Sequence, residues 1–200
     1  MYPGRRTKKI KEVIRKRQEG VVVLEDIHDP HNAAAVLRSA EALGFQKVYF
    51  IFEQEEKFNP RQVGKSSSSS ANKWLDFKSF SSTREALNEL KEGGYKIVAT
   101  VIDKKAKSIY ETSFCERKMA ICFGNEHRGL SDTAKKMADT IVCIPMEGMV
   151  QSLNLSVTAA IFMYEISRQR RGFGREKFVM DEEARKELEE RLINKQPWNS

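Results

Sequence analysis

Apolar positions along this chain fall into short blocks with two different spacings, and the alternation of those blocks predicts the elements. Val21–Glu25 (VVVLE) is a continuous apolar run, the mark of a strand buried on both faces of a parallel sheet. A loop, Asp26–His31, and a helix from about Asn32 to Leu43 follow it. Further strands are predicted at Lys47–Phe52, Trp74–Phe77, Lys96–Ile102, Met119–Phe123 and Thr140–Ile144. Helices are predicted at Thr83–Glu92, closed by Gly93-Gly94, and at Ser131–Met137. Strand and helix in alternation predict an α/β fold, a mostly parallel sheet flanked by helices. From Ser152 to about Arg170 the chain is apolar on nearly all sides, through Leu153, Leu155, Val157, Ala159, Ile161, Phe162, Met163, Tyr164 and Ile166. Such a helix must be buried on more than one face, and a dimer interface would supply the second.

The pattern changes at the two ends. Arg6–Arg17 places Ile10, Val13 and Ile14 at helical spacing with charges around them, a short amphipathic helix whose exposed side is almost entirely basic. Asp181–Asn194 reads as a charged helix with few apolar anchors, Leu188 and Leu192, and is expected to be peripheral. Ser66–Ser70 is the one low-complexity segment and reads as a flexible loop.

Length and composition narrow the class. Two hundred residues with 40% hydrophobic side chains suffice for one sizeable core with short appendages, which excludes disorder for the bulk of the chain. The longest apolar stretches fall far short of the ~20 residues a membrane helix needs, and no signal region follows Met1, so no membrane association and a cytoplasmic location are expected. Cys115, Cys122 and Cys143 form no CxxC pair and are odd in number, so they read as reduced, mostly buried thiols. The formal charge is +7, and its distribution says more than its size. Residues 1–20 hold eight basic side chains against two acidic, and residues 168–177 hold five against one, so the remainder is net acidic. An acidic body with basic arms suits a nucleic-acid backbone as ligand; a solvated amphipathic face is the plainer alternative.

Several familiar signatures fail. Gly64-Lys65-Ser66 would need a glycine where Asn59 stands to be a P-loop. Gly172-Phe-Gly174 lacks a third glycine and follows a helix, so it is no dinucleotide fingerprint. His28 and His31 have no evident third ligand, and Pro30 breaks the helix that would align them, so no metal is expected. No serine occupies a nucleophile elbow.

Three polar loops remain, each directly after a predicted parallel strand: Glu25–Arg38, Gly124–Leu130 and Pro145–Asn154. Open α/β sheets bind ligands at the carboxyl ends of their strands, so the three make one candidate site. Asn32 stands at a helix start, where asparagine is most often an N-cap, and Arg38 lies about 600° of helical rotation further on, off its face. Gly124-Asn-Glu126-His-Arg128-Gly129 combines backbone freedom with charge. Ser152 and Asn154 could each cap the following helix.

These segments resemble the three signature motifs of the SpoU-TrmH family of RNA methyltransferases in the SPOUT superfamily. The matching residues are N-x-x-A-x-x-R at Asn32–Arg38, F-G-N-E-x-x-G-L at Phe123–Leu130, and I-P-M-x-G-x-x-x-S-L-N-x-S-V at Ile144–Val157. The match spans roughly residues 20–170, and Leu24–Asn32 together with Arg168-Gln-Arg170 resemble the tRNA-methylating branch. The serine run before Ala71 departs from the glycine-containing loop of relatives.

The resemblance implies a deep trefoil knot over about residues 120–165 that forms the pocket for S-adenosyl-L-methionine. It also implies a homodimer in which the arginine of one subunit faces the pocket of the other. Residues 1–19 would then be a basic helical extension, 20–170 the catalytic domain and 171–200 a charged helical extension. The implied reaction is methyl transfer to a ribose 2′-oxygen of tRNA, that of guanosine 18 in the D-loop, with the wobble ribose or a ribosomal-RNA ribose as the alternative. By position, Thr100, Gly124, Ile144, Met146 and Leu153 match the cofactor-holding places. Arg38 matches the proposed catalytic arginine, with Asn32, Glu126, Ser152 and Asn154 as its polar set. Arg5, Arg6, Lys8, Lys9, Arg168, Arg170 and Arg171 are the expected RNA contacts.

Overall fold

The fold is described here from a computed structural model that covers residues 3–63 and 71–194; the serine run and the Gly64-Lys65-Ser66 sequence lie outside the described residues. Its centre is a seven-stranded sheet made of β1 (Gln18–Glu25), β2 (Phe45–Ile51), β3 (Asp76–Phe80), β4 (Lys96–Thr100), β5 (Lys107–Ser108), β6 (Met119–Phe123) and β7 (Thr140–Cys143). The spatial order is β3-β2-β1-β6-β4-β7-β5, and every pairing is parallel. The expected α/β class is therefore what the chain adopts. All eight residues of β1 are buried, as a central strand with helices on both faces requires.

Alternation along β1 divides the core between the two faces. Val22 and Leu24 join Phe50, Ile121 and Phe123 under α2 (Pro30–Ala42) and α5 (Leu155–Gly172). Val21 and Val23 join Ile97, Ala99, Ala120 and Cys122 under α3 (Thr83–Glu92) and α4 (Asp132–Met137). Helix α3 and strand β6 fall where the periodicity places them. The third predicted strand does not: it is Asp76–Phe80, in register with Lys47–Ile51, while Trp74 packs against the cluster formed by the two terminal helices. The two-residue edge strand β5 carries no periodic signal and was not predicted.

Those terminal helices, α1 (Pro3–Ile14) and α6 (Glu182–Asn194), pack on each other in a cluster of their own outside the sheet's core, and Leu188 and Leu192 are the anchors of the tail. Leu188 and Leu192 of α6 are buried against Ile10, Ile14 and Met180, and Arg191 pairs with Asp76 at 2.6 Å. The two chain ends are zipped together as well: the Met180 amide donates to the Arg17 carbonyl, Gln18 bridges Val179, and Arg175 donates to the Lys16 carbonyl at 2.9 Å. Both basic segments thus lie at the start of β1, the end opposite to Glu25.

Helix α5 is buried along Leu155, Ala159, Phe162, Met163 and Ile166, but Val157, Ile161 and Tyr164 are exposed. With Ala35 and Ser39 of α2 they line an apolar groove of about 420 Å³. The all-round apolar character of this helix is therefore answered only on one side within a single chain. Cys122 and Cys143 are buried, Cys115 is partly so, and all three are free thiols.

Candidate active site

Strands β1, β6 and β7 deliver the three polar loops to one end of the sheet, and side chains from all three join there. Helix α2 begins two residues earlier than predicted, because Asp29 is its N-cap and takes the His31 amide at 2.8 Å on its carboxylate. Pro30 fits the first helical position, where a missing N–H costs nothing. Asn32 is consequently inside the first turn and its amide is available for another purpose.

That amide donates from Nδ2 to Glu126 Oε1 at 2.9 Å. Glu126 also accepts the backbone amides of His28 at 2.9 Å and Asp29 at 3.2 Å, so the loop after β6 is fastened to the loop after β1. A carboxylate only accepts, which fixes the orientation of the Asn32 amide and leaves its Oδ1 to accept from Asn154 Nδ2 at 3.0 Å. Asn154 is the N-cap of α5; its Oδ1 takes the Ser156 amide at 2.8 Å and the Ser156 hydroxyl at 2.6 Å. The result is one directional chain, Ser156 to Asn154 to Asn32 to Glu126, spanning three loops.

Two expected members stand outside it. Ser152 is exposed and makes no side-chain hydrogen bond among the described residues. Arg38 is exposed on α2 and likewise has no hydrogen-bond or ion-pair partner among the described residues, so it does not join the network of its own chain.

Of the five positions expected to hold cofactor, Thr100, Gly124 and Ile144 lie at the ends of neighbouring strands, while Met146 and Leu153 lie on the loop between β7 and α5. Thr100 closes β4, in register with Val142, and donates its hydroxyl to the Cys122 carbonyl at 2.9 Å. Gly124 follows β6 and Ile144 follows β7, so the three are adjacent across the sheet. A Cβ built on Gly124 would lie 2.2 to 2.4 Å from the Leu130 amide and the Gly129 carbonyl group, so this turn closes only around bare backbone. Ile144, Met146 and Leu153 are half-buried. None of the five carries charge, and three give apolar wall beside exposed strand-end backbone. That donor set fits a ligand held by main-chain groups against apolar surface, as an adenosyl group with a methionine-derived arm would be.

The RNA-contact expectation needs one clear correction. Arg170 is 1% exposed, and its guanidinium is spent inside the protein: it donates to the carbonyls of Glu19 at 2.8 Å, Glu116 at 2.7 Å and Arg117 at 3.3 Å and stacks over Phe178. Burial pushes its pKa down to about 10, which still leaves it charged at neutral pH. Helical periodicity explains the error, since every third or fourth residue of a basic run on a packed helix faces inward. Arg6 is partly buried and donates to the Leu192 and Ile193 carbonyls at the end of α6. Arg168 is exposed and held by Glu165 through two 2.7 Å bonds. Arg5, Lys8, Lys9 and Arg171 are exposed.

Residues outside the motifs also build the site. Glu25 is 2% exposed and accepts from the Thr83 hydroxyl at 2.5 Å and from the Ser131 amide and hydroxyl at 2.8 and 2.7 Å, tying the end of β1 to the starts of α3 and α4. Asp26, Asn125 and Glu55 form a second knot of polar contacts beside Glu126. Asn125 had a sequence signal as part of F-G-N-E, and Asp26 as part of the Leu24–Asn32 stretch; Glu55 had none.

Comparison with known proteins agrees with this arrangement. The model of the SpoU rRNA Methylase family matches residues 19–164. A tRNA (guanosine(18)-2′-O)-methyltransferase of Thermus thermophilus is 36% identical over 169 residues, covering 82% of this chain and 83% of that protein. Among solved structures, the Aquifex aeolicus TrmH/SpoU tRNA modifying enzyme superposes with a TM-score of 0.86 at 28% identity, covering 96% of this chain and 97% of the other. The SpoU methyltransferase AviRb of Streptomyces viridochromogenes, solved in complex with AdoMet, has a TM-score of 0.66 at 26% identity over 78% of this chain and 59% of that one. The strand-end loops, the residues they bring together and these matches lead to one conclusion: the chain belongs to the SpoU methylase family of RNA methyltransferases.

Proposed function

We propose that this protein transfers a methyl group from S-adenosyl-L-methionine to the ribose 2′-oxygen of guanosine 18 in tRNA. The observation that carries the reading is the hydrogen-bonded chain Asn154–Asn32–Glu126 at the carboxyl ends of three parallel strands, beside the uncharged positions Thr100, Gly124, Ile144, Met146 and Leu153. The named tRNA methyltransferases among its relatives supply the substrate. When bound, the cofactor supplies an electrophilic methyl on a sulfonium. The backbone around Gly124 and Ile144 would hold it, with Met146 and Leu153 as apolar wall.

The chain's own residues then have to orient a ribose hydroxyl and answer the negative charge that develops on its oxygen. Arg38 suits the second task and not that of general base, because a guanidinium stays protonated in proteins. Its clamp would fall on the oxygen or on the neighbouring phosphate, while water or another group takes the proton. Asn32 and Asn154, locked in orientation by Glu126, present fixed amide dipoles beside the hydroxyl.

Homodimerisation belongs to the same reading. The groove of Val157, Ile161, Tyr164, Ala35 and Ser39 is apolar and open, and Arg38 lies on the same helix as two of its lining residues without a partner among the described residues. A second copy seated there would cover the groove and bring each Arg38 toward the opposite site. The trefoil knot belongs to it too, supported by the insertion of β6 between β1 and β4 and of β7 between β4 and β5. The zipped basic ends favour tRNA phosphates as their ligand, and action on tRNA goes with a cytoplasmic location. Incubation with labelled S-adenosyl-L-methionine and transcribed tRNA, followed by mapping of the methylated nucleotide, tests the proposal; label at a ribose other than that of guanosine 18 would replace the substrate, and none on any RNA would end it.

A further inference from the structure

Glu55 lies on the connection after β2, outside the sequence motifs of the site, yet two of the site's loops meet on its carboxylate. Oε2 is 3.0 Å from His28 Nδ1 on the loop after β1. Oε1 accepts from Arg128 at 2.7 Å and from Asn125 Nδ2 at 3.2 Å, both on the loop after β6. The carboxylate is more enclosed than either side chain it holds, at 17% exposed against 48% for Arg128 and 60% for His28.

The backbone beneath it is anchored in turn. Asp26 Oδ1 accepts the amides of Glu53, Gln54 and Glu55 at 2.7, 2.9 and 3.2 Å. Asp26 adopts φ +50°, a left-handed conformation that non-glycine residues seldom take without surrounding contacts that impose it. Asn125 Nδ2 closes the ring by donating to the Asp26 carbonyl at 2.7 Å. Asp26, Glu55 and Asn125 thus form a clasp among the loops after β1, β2 and β6.

The clasp brackets Glu126. The amides that grip Glu126 belong to His28 and Asp29, and the His28 ring is held by Glu55. The neighbours of Glu126 in sequence, Asn125 and Arg128, are held by the same carboxylate. Glu126 sets the orientation of Asn32, so whatever fixes both sides of Glu126 fixes the Asn32 amide.

We propose that Glu55 is a positioning residue for methyl transfer, acting through Glu126 and Asn32 without touching substrate. This rests on the methyl-transfer reading above. The test uses the full chain with Glu55→Ala and Glu55→Gln. Glu55→Ala should lower the single-turnover rate at saturating tRNA and cofactor by about tenfold or more, a loss of transition-state orientation and not of binding. Both dissociation constants should stay within about threefold, and the unfolding midpoint within about 4 °C. Glu55→Gln keeps an accepting oxygen for Arg128 and offers an amide to His28, so it should restore most of the rate. An unchanged rate in Glu55→Ala overturns the proposal, as does a loss that Glu55→Gln fails to restore or one confined to tRNA affinity. If the unaltered protein methylates no RNA, the transfer reading fails by itself. The clasp is then judged by the amide resonances of His28, Asp29 and Glu126, which should shift in Glu55→Ala and return in Glu55→Gln; unmoved resonances overturn it.

Discussion

Asn32 and Asn154, 122 residues apart in sequence, meet through a 3.0 Å hydrogen bond between their side-chain amides. The bond has a direction, because Glu126 can only accept and therefore turns the Asn32 oxygen toward Asn154. Asn32→Asp keeps the shape, removes the donor and sets a second carboxylate against Glu126. We expect loss of about 1–3 kcal/mol of orientation, or roughly tenfold to a hundredfold in single-turnover transfer, with cofactor binding retained. Transfer at the normal rate by a folded Asn32→Asp protein would remove this hydrogen-bonded chain from the mechanism.

Arg38 is exposed and makes no hydrogen bond or ion pair among the described residues, so its removal should leave the fold alone. Arg38→Ala is expected to abolish methyl transfer while shifting stability by no more than about 0.5 kcal/mol. Cofactor affinity should stay within a few-fold, because the arginine serves the substrate side. Cofactor titration, thermal unfolding and single-turnover transfer on one sample decide the matter; substantial residual transfer would take Arg38 out of the catalytic role.

Gly124 and Leu153 should fail in different ways. A methyl at Gly124 meets the backbone of Gly129 and Leu130 at 2.2 to 2.4 Å, so Gly124→Ala must displace the turn and destabilise the protein by about 1–3 kcal/mol. Leu153 is only half-buried, and Leu153→Arg should leave the fold intact while losing S-adenosyl-L-methionine binding by calorimetry. Retained binding in that variant would place the pocket elsewhere.

The basic arms predict a salt dependence with a particular set of residues. Arg5, Lys8 and Lys9 are exposed, whereas Arg6 is engaged with α6 and Arg170 is buried. Replacing Arg5, Lys8 and Lys9 with alanine should flatten the slope of log affinity for tRNA against log salt by roughly 0.7 to 0.9 per lost phosphate contact. The methylated nucleotide should not change, since phosphate contacts position without specifying. Arg170→Ala should instead lower the unfolding midpoint, because it leaves the buried Glu19 carbonyl and the part-buried Glu116 carbonyl without this donor. An unaltered slope in the triple variant would reduce the arm to a solvated face.

His28 gives a pH signature. It is faced by Glu55 from the connection after β2, by Glu126 and the His127 ring from the loop after β6, and by Asp29 beside it. The hydrogen bond and charge of Glu55 raise the His28 pKa, and His28 with Arg128 lowers that of Glu55. A raised imidazole value stabilises the fold below its unfolded pKa, and that contribution is lost as pH rises through the folded value. The lowered carboxylate value contributes above its own unfolded pKa and is lost as pH falls through the folded one. The pair is therefore complete between the carboxylate and imidazole ranges, and weakens on either side. In an NMR titration Glu55→Gln should bring the His28 midpoint back down toward the ordinary value; an unmoved midpoint would show that the pair does not form in solution.

The sequence by itself determined the elements whose signals are local. Val21–Glu25 and Met119–Phe123 read as buried strands because a parallel strand covered on both faces is almost continuously apolar, and both are buried. Thr83–Glu92 was legible from its periodicity and the glycines that end it. The motif residues Asn32, Glu126 and Asn154 could be named because each stands just beyond such a strand or at a helix start. Tertiary structure alone decided what those residues do. Asn32 is a network donor and not an N-cap because Asp29, three residues earlier, took the capping role. Arg170 is an internal clamp because α5 turns that side of the basic run toward the start of β1. Glu55 holds two loops together from a segment with no periodic or motif signal, and contacts 27 to 73 residues apart leave no mark in local spacing. Backbone propensity and hydrophobic burial act over a few neighbouring residues and can be read along the chain; the pairing of polar groups depends on which loops the folded sheet brings within hydrogen-bonding distance.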